Sequence, residues 1–227
     1  MEEDTCLPFT QICFKHRFIY LLVFLLIMIA IEPLEEVFGG FAILMDLVIS
    51  AILLLAIYAV SQKRHHTVIG VLLAVPMIVS LWSNVFGEFR WLQITGYICG
   101  IAFFAFIIVA VLTFILSQDT ITRDLIAGAA VVYLFIAALW AFAYRLVEMM
   151  HPGSFAIPDQ TVGKSVIYMY YSLVTLTTLG YGDIIPLTSV AKVCSTLEAL
   201  IGQLYLVITV AWLVGLHVSQ SIEKKSR

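Results

Sequence analysis

"TLTTLGYGD", residues 175–183, places two glycines and an aspartate between two long apolar runs. The surrounding sequence is typical of membrane helix, so this stretch predicts a break in regular structure at membrane depth. Irregular backbone survives there only where protein or a water-filled cavity covers it, because an unpaired backbone group facing lipid costs several kcal/mol. The stretch therefore predicts a wet cavity inside the membrane.

The two glycines of this stretch, Gly180 and Gly182, suggest what the cavity holds. Glycine adopts positive φ, which a residue with a Cβ resists, so successive carbonyl groups can turn toward one axis. A row of carbonyl oxygens can replace the water shell of a dehydrated alkali cation. The segment from Thr178 to Gly182 is thus a candidate ion-binding strand.

The composition is that of a polytopic membrane protein. Of 227 residues, 62% are hydrophobic and only 12% are charged, and the mean hydropathy is +1.05. These apolar and charged shares depart strongly from those of soluble domains. A net charge of −3 without a basic patch gives no reason to expect nucleic acid as a partner. No catalytic triad, zinc-ligand spacing or nucleotide loop is evident, so we expect neither an enzyme nor a cofactor.

The lengths of the apolar runs predict an all-α membrane protein with six spanning helices and a re-entrant segment. The predicted spans are Phe18 to Ile31, Phe41 to Val60, Val68 to Phe86, Leu92 to Leu116, Leu125 to Leu146 and Val190 to Val218, with a shorter apolar run from Val166 to Thr178. The first run is short enough to be the core of a signal sequence, but no A-x-A-like site follows it, which favours a retained helix.

The distribution of charges predicts the orientation. If the helices alternate, the following basic residues fall on one side: Lys15, Arg17, Lys63, Arg64, Arg123, Lys224, Lys225 and Arg227. The positive-inside rule assigns that side to the cytoplasm. Both termini are then cytoplasmic in a multi-pass protein of the cell membrane, and residues 175–183 lie toward the outer face. We expect no cytosolic ligand-binding domain, since only nine residues follow Val218.

The sequence "TTLGYGD" resembles the selectivity filter of potassium channels, with Leu179 in place of the commoner valine. The resemblance implies that K+ is the permeant ion and that the five residues from Thr178 to Gly182 bind it: Thr178, Leu179, Gly180, Tyr181 and Gly182. Thr177 and Asp183 would support the filter, Asp183 by bracing it from behind.

The neighbouring sequence agrees with this resemblance over residues of roughly 120 to 220. "SVIYMYYSLVTL" precedes the filter as a pore helix would, and Tyr170 and Tyr171 occupy the positions of an aromatic pair that supports the filter. The resemblance divides the chain into a four-helix region, residues 1–119, and a pore domain, residues 120–227. It also implies a homotetramer in the lipid bilayer, because each chain offers a single pore loop.

Gly202 and Glu198 in the last span are candidate gating residues. Gly202 is either a hinge of the inner helix or a small residue that permits close packing. Glu198 lies one turn earlier on the same face, and an acid within a span is a functional candidate by default. It is either a titrating group behind the filter or a satisfied structural acid. Gln203, Leu206, Val210 and Val214 are candidates for a cavity-lining stripe.

The fourth predicted span contains no lysine or arginine from Leu92 to Ser117, whereas a voltage-sensing helix carries several arginines. We therefore expect a potassium-selective channel that conducts passively and is not gated by voltage. The alternatives are a weakly selective cation channel and a non-conducting sensor or regulatory subunit that retains the pore fold.

Overall fold

Within the described part of the chain, seven helices follow the apolar runs of the sequence. The computed structural model describes residues 16–37, 42–61, 64–86, 89–157 and 167–226. The helices are α1 (Arg17–Val37), α2 (Ala42–Val60), α3 (Arg64–Phe86), α4 (Arg90–Leu116), α5 (Arg123–Met150), α6 (Ile167–Leu176) and α7 (Ser189–Ser226). This confirms the prediction of a mostly helical membrane protein.

Four of these helices, α3, α4, α5 and α7, are long and apolar enough to cross a membrane. The apolar parts of α1 and α2 that the structure describes are shorter, Arg17–Ile31 and Asp46–Val60. A total of six spans therefore stays a prediction. The short helix α6 is where the sequence places a re-entrant segment.

A two-stranded sheet is the one departure from an all-helical fold within the described residues. Strand β1 (Phe155–Ala156) pairs antiparallel with β2 (Ile185–Pro186), and Phe155 lies opposite Pro186. The amide of Leu187 continues the pairing with a hydrogen bond of 2.8 Å to the Ser154 carbonyl. The sheet fastens the chain that leaves α5 to the chain that enters α7.

Close helix contacts surround α4. A Cβ on Gly96 would lie 2.2 Å from the side chain of Ser80 on α3, and one on Gly100 would lie 2.4 Å from the ring of Phe142 on α5. Such small residues let the helix axes approach closely where lipid supplies no hydrophobic driving force. Helix α4 is thereby packed closely between α3 and α5.

Asp124 joins the beginning of α1 to the beginning of α5. Its Oδ1 accepts hydrogen bonds from the amides of Phe18 and Ile19, at 3.0 and 3.1 Å. These amides lie in the first turn of α1, where helical N–H groups have no partner within the helix. The neighbouring Arg17 is buried, with its guanidinium 4.5 Å from the centroid of the Phe114 ring. A carboxylate 105 residues away in sequence thus caps α1.

Replacing Asp124 tests this junction. Asp124→Ala should lower the free energy of unfolding by about 1 to 3 kcal/mol, because two amides lose their acceptor. Asp124→Asn should cost less, since its amide oxygen can still accept. The measurement is thermal unfolding of the purified protein in detergent. Asp119→Ala is the matched control, because that exposed side chain lies five positions earlier outside the junction. Equal melting temperatures for D124A and D119A would contradict the junction.

Candidate functional site

The candidate strand starts directly from the C-terminal end of α6. The amides of Leu179 and Gly180 both donate to the carbonyl of Val174, at 3.0 and 3.3 Å, and the amide of Thr178 donates to Thr175 at 3.0 Å. In a trans peptide the N–H and the preceding C=O point in opposite directions. The carbonyls that precede these three amides therefore point away from α6; they belong to Thr177, Thr178 and Leu179.

The backbone of the strand alternates in handedness. Thr178, Gly180 and Gly182 have φ of 59°, 59° and 79°, and Thr178 is the only non-glycine residue with positive φ in the described part of the chain. Alternation between left-handed and right-handed backbone puts successive N–H groups on one side, and hence the carbonyls on the other. The two glycines adopt this conformation freely, whereas a β-branched threonine resists it.

The strand is uncovered on the side away from α6. Every residue from Thr177 to Asp183 is exposed, including 56% of Leu179 and 67% of Tyr181. A Cβ on Gly180 or Gly182 would meet no atom within 4 Å. A row of outward carbonyls on an open face can bind a cation only if further ligands complete the coordination shell.

Tyr170 braces the outer end of the strand. Its hydroxyl, on α6, donates a hydrogen bond of 2.7 Å to the carboxylate of Asp183. This bond raises the pKa of the Tyr170 hydroxyl to about 12, because the carboxylate stabilises the protonated donor. Tyr170 therefore keeps its hydroxyl proton, and with it this hydrogen bond, across the physiological pH range. The structure thus brings together two of the predicted supporting residues.

The hydroxyl of Tyr171, the next residue of α6, does not contact the strand. That hydroxyl is 2.7 Å from Oγ of Ser195 on α7. The ring is buried edge-on against Tyr144 and Phe155, with centroids 5.0 and 5.4 Å apart. Tyr171 therefore ties α6 to α5, α7 and the sheet.

The C-terminal end of α6 rests on α7 at Gly202. A Cβ there would lie 2.6 Å from Cδ1 of Leu176 and 2.8 Å from its carbonyl oxygen. The same carbonyl accepts a hydrogen bond of 3.1 Å from the hydroxyl of Tyr133 on α5. Gly202 thus lies where α6 and α7 approach each other closely, as expected of a small residue that permits close packing.

Glu198 lies one turn before Gly202 and is fully buried. Its carboxyl group contacts two hydroxyl groups, that of Tyr144 on α5 and that of Ser172 on α6. The acid therefore joins the three helices that meet behind the strand. We call this arrangement the pore-helix seat; it consists of Tyr133, Tyr144, Ser172, Leu176, Glu198 and Gly202.

Four residues of the seat were missed by sequence reasoning: Tyr133, Tyr144, Ser172 and Leu176. A signal was present for the tyrosines, because a hydroxyl within an apolar helix needs a hydrogen-bond partner. Glu148 was also missed as a supporting residue. Its carboxylate accepts hydrogen bonds from the amides of Gly153 and Phe155 and thereby holds the turn that leads into β1.

Comparison with known proteins gives one family match. A family model for ion channels matches residues 124–216, from the first turn of α5 into α7. These residues are therefore similar to an ion-channel domain. The match supports membership of the potassium channel superfamily, as the sequence "TTLGYGD" predicted. No curated protein matches the chain. The matched residues include the candidate strand, α6 and the whole pore-helix seat.

The close approach at Gly202 can be tested by substitution within α7. Gly202→Ala should lower the free energy of unfolding by about 1 to 3 kcal/mol, because the added methyl group meets the Leu176 backbone. Gly215→Ala is the control on the same helix, since a Cβ there meets no atom within 4 Å. Thermal unfolding in detergent compares the two. Equal stability of G202A and G215A would contradict the contact and leave the hinge as the role of Gly202.

Proposed function

We propose that this protein is a potassium-selective channel that conducts K+ passively across the cell membrane. The observation that carries the proposal is the direction of the carbonyls of Thr177, Thr178 and Leu179, which face the open side of the chain. Carbonyl oxygens in a row can replace the hydration shell of K+. The ion is the permeant species, and the activity needs no cofactor.

The open side of the strand supports a homotetramer. Exposed carbonyls at membrane depth cannot face lipid, so they must face protein or water. Four strands around one axis would enclose the ion and leave no carbonyl in contact with lipid. A closed ring of four identical chains supplies these strands, so no other protein is needed. Thr178 to Gly182 of each copy then form the ion sites.

Helix α7, the proposed inner helix of the pore, is exposed as this assembly requires. Helix α7 is almost unburied in the single chain, although it is long and apolar enough to span a membrane. Its exposed side chains include the predicted cavity-lining residues Gln203, Leu206, Val210 and Val214. In the tetramer one face of α7 lines the water-filled cavity below the filter. The C-terminal end of α6 directs partial negative charge toward the cation there.

The proposed topology is multi-pass with six spans and with both termini in the cytoplasm. Two contacts between helix ends agree with successive helices that cross the membrane in opposite directions. Arg90 at the start of α4 donates to the Met149 carbonyl at the end of α5. At the opposite end, Gln220 of α7 donates to the Asp119 carbonyl between α4 and α5. The positive-inside rule then sets the direction.

Gly182→Ala tests the filter. A Cβ added to Gly182 would meet no atom within 4 Å, so the substitution acts only through the backbone. The φ of 79° is a left-handed conformation that costs a residue with a side chain about 1 to 2 kcal/mol. We expect loss of K+-selective flux from proteoliposomes while tetramers persist. Gly153→Ala is the matched control: its φ is 82° and its Cβ also meets nothing, but it lies outside the strand. G153A should retain K+ flux.

Flux of K+ and Na+ through proteoliposomes that hold only the purified chain distinguishes the alternatives. Similar K+ and Na+ fluxes would favour a weakly selective cation channel. Correctly assembled tetramers without flux would favour a non-conducting sensor or regulatory subunit. Wild-type selectivity in G182A would overturn the assignment of the filter.

Opening should be nearly independent of membrane voltage. Moving one elementary charge through 100 mV is worth about 2.3 kcal/mol, and steep gating needs several such charges in each subunit. The only basic residue of α4 is Arg90, at its first position, where a contact with Met149 holds it. The check is the conductance against voltage in symmetric potassium in planar bilayers. A steep rise in open probability over a few millivolts would contradict the prediction.

A further inference from the structure

The buried carboxyl group of Glu198 lies in an environment without a described positive charge. Its two contacts are the hydroxyl groups of Tyr144 and Ser172. The nearby titratable groups on the packed elements are Tyr133 and Tyr144 of α5, Tyr171 of α6 and Cys194 of α7. All of these are neutral or negative whatever their state. A carboxylate at this position would therefore be an unpaired buried charge, which is very costly.

The hydrogen atoms around Glu198 can be counted. Ser172 Oγ is 2.8 Å from the Ala137 carbonyl oxygen and also contacts Glu198 Oε1, while Tyr144 contacts Glu198 Oε2. These are three hydrogen bonds, and each needs one hydrogen. The two hydroxyl groups supply two, and the Ala137 carbonyl supplies none. The third hydrogen belongs to Glu198, which then donates to Ser172 as Ser172 donates to Ala137.

We infer that Glu198 is a proton-binding site whose proton keeps α6 in the pore-helix seat and the channel conductive. On deprotonation the O–H bond of the carboxyl group breaks and the proton passes to water. The Ser172 hydroxyl then turns from Ala137 to the carboxylate, and an unpaired negative charge stays behind the filter. Water must enter to solvate that charge, which separates α7 from α6. Conduction falls as the pH rises.

The route from the proton to the filter is short. Gly202, one turn beyond Glu198 on α7, lies directly against the Leu176 carbonyl at the end of α6. The amides of Leu179 and Gly180 depend on the neighbouring Val174 carbonyl for their direction. Separation of α7 from α6 therefore removes the support of the segment that aims the filter carbonyls. This step rests on the proposed function, whereas the presence of the proton does not.

Infrared difference spectroscopy tests the proton directly. The tetramer in lipid should show the C=O stretching band of a protonated carboxylic acid at neutral pH, and Glu198→Gln should remove it. Glu148→Gln is the matched control, because that carboxylate accepts two backbone hydrogen bonds near the surface and should leave the band unchanged. If E198Q does not assemble, Ser172→Ala serves instead: the acid loses its acceptor, and the band should shift to higher frequency.

Potassium flux against pH tests the coupling. Wild-type flux should fall by at least about tenfold per pH unit beyond the midpoint, because each of the four chains carries one such proton. E198Q should conduct and vary less than about twofold over the same range, because its amide group donates to Ser172 and accepts from Tyr144 without titrating. Absence of the acid band, or equal pH profiles for E198Q and wild type, overturns the inference. A band without any wild-type flux instead overturns the proposed channel function.

Discussion

Two amides that share one acceptor determine the geometry on which the site depends. Leu179 and Gly180 both donate to the Val174 carbonyl, so the carbonyls behind these amides can only point outward. The glycines permit the turn, but these hydrogen bonds give it a direction. The direction of the strand carbonyls is therefore set by the position of α6 and by the helices that hold α6.

Helix α6 is held by polar contacts as well as by apolar packing. Apolar side chains tolerate small sliding movements, whereas hydrogen bonds are directional and fix register. Tyr133 holds the Leu176 carbonyl, and Glu198 holds Ser172. A buried polar network is costly if it is left incomplete, so it favours one arrangement strongly over its neighbours. The short helix obtains a defined position that ten residues of apolar surface alone would specify poorly.

The sequence predicts the helices well because long apolar runs and charged borders determine them locally. It also predicts the break at residues 178–182, because the closely spaced Gly180 and Gly182 permit the positive φ that the structure shows. Pairing between distant residues leaves no such pattern: Tyr144 and Ser172 are 54 and 26 residues from Glu198. The two-residue strands are too short for alternation to show. The positive φ of Thr178 runs against the preference of threonine, so only the structure reveals it.

The strained backbone of Thr178 bears on the stage at which a conduction path can form. A β-branched residue with φ of 59° carries strain of about 1 to 3 kcal/mol, and in the proposed tetramer that strain recurs in every copy. Hydrogen bonds within one chain offset this strain and already direct the carbonyls, but a single strand encloses no ion. Unassembled chains would therefore sit in the membrane without leaking ions, and the conduction path would form only when four strands close the ring.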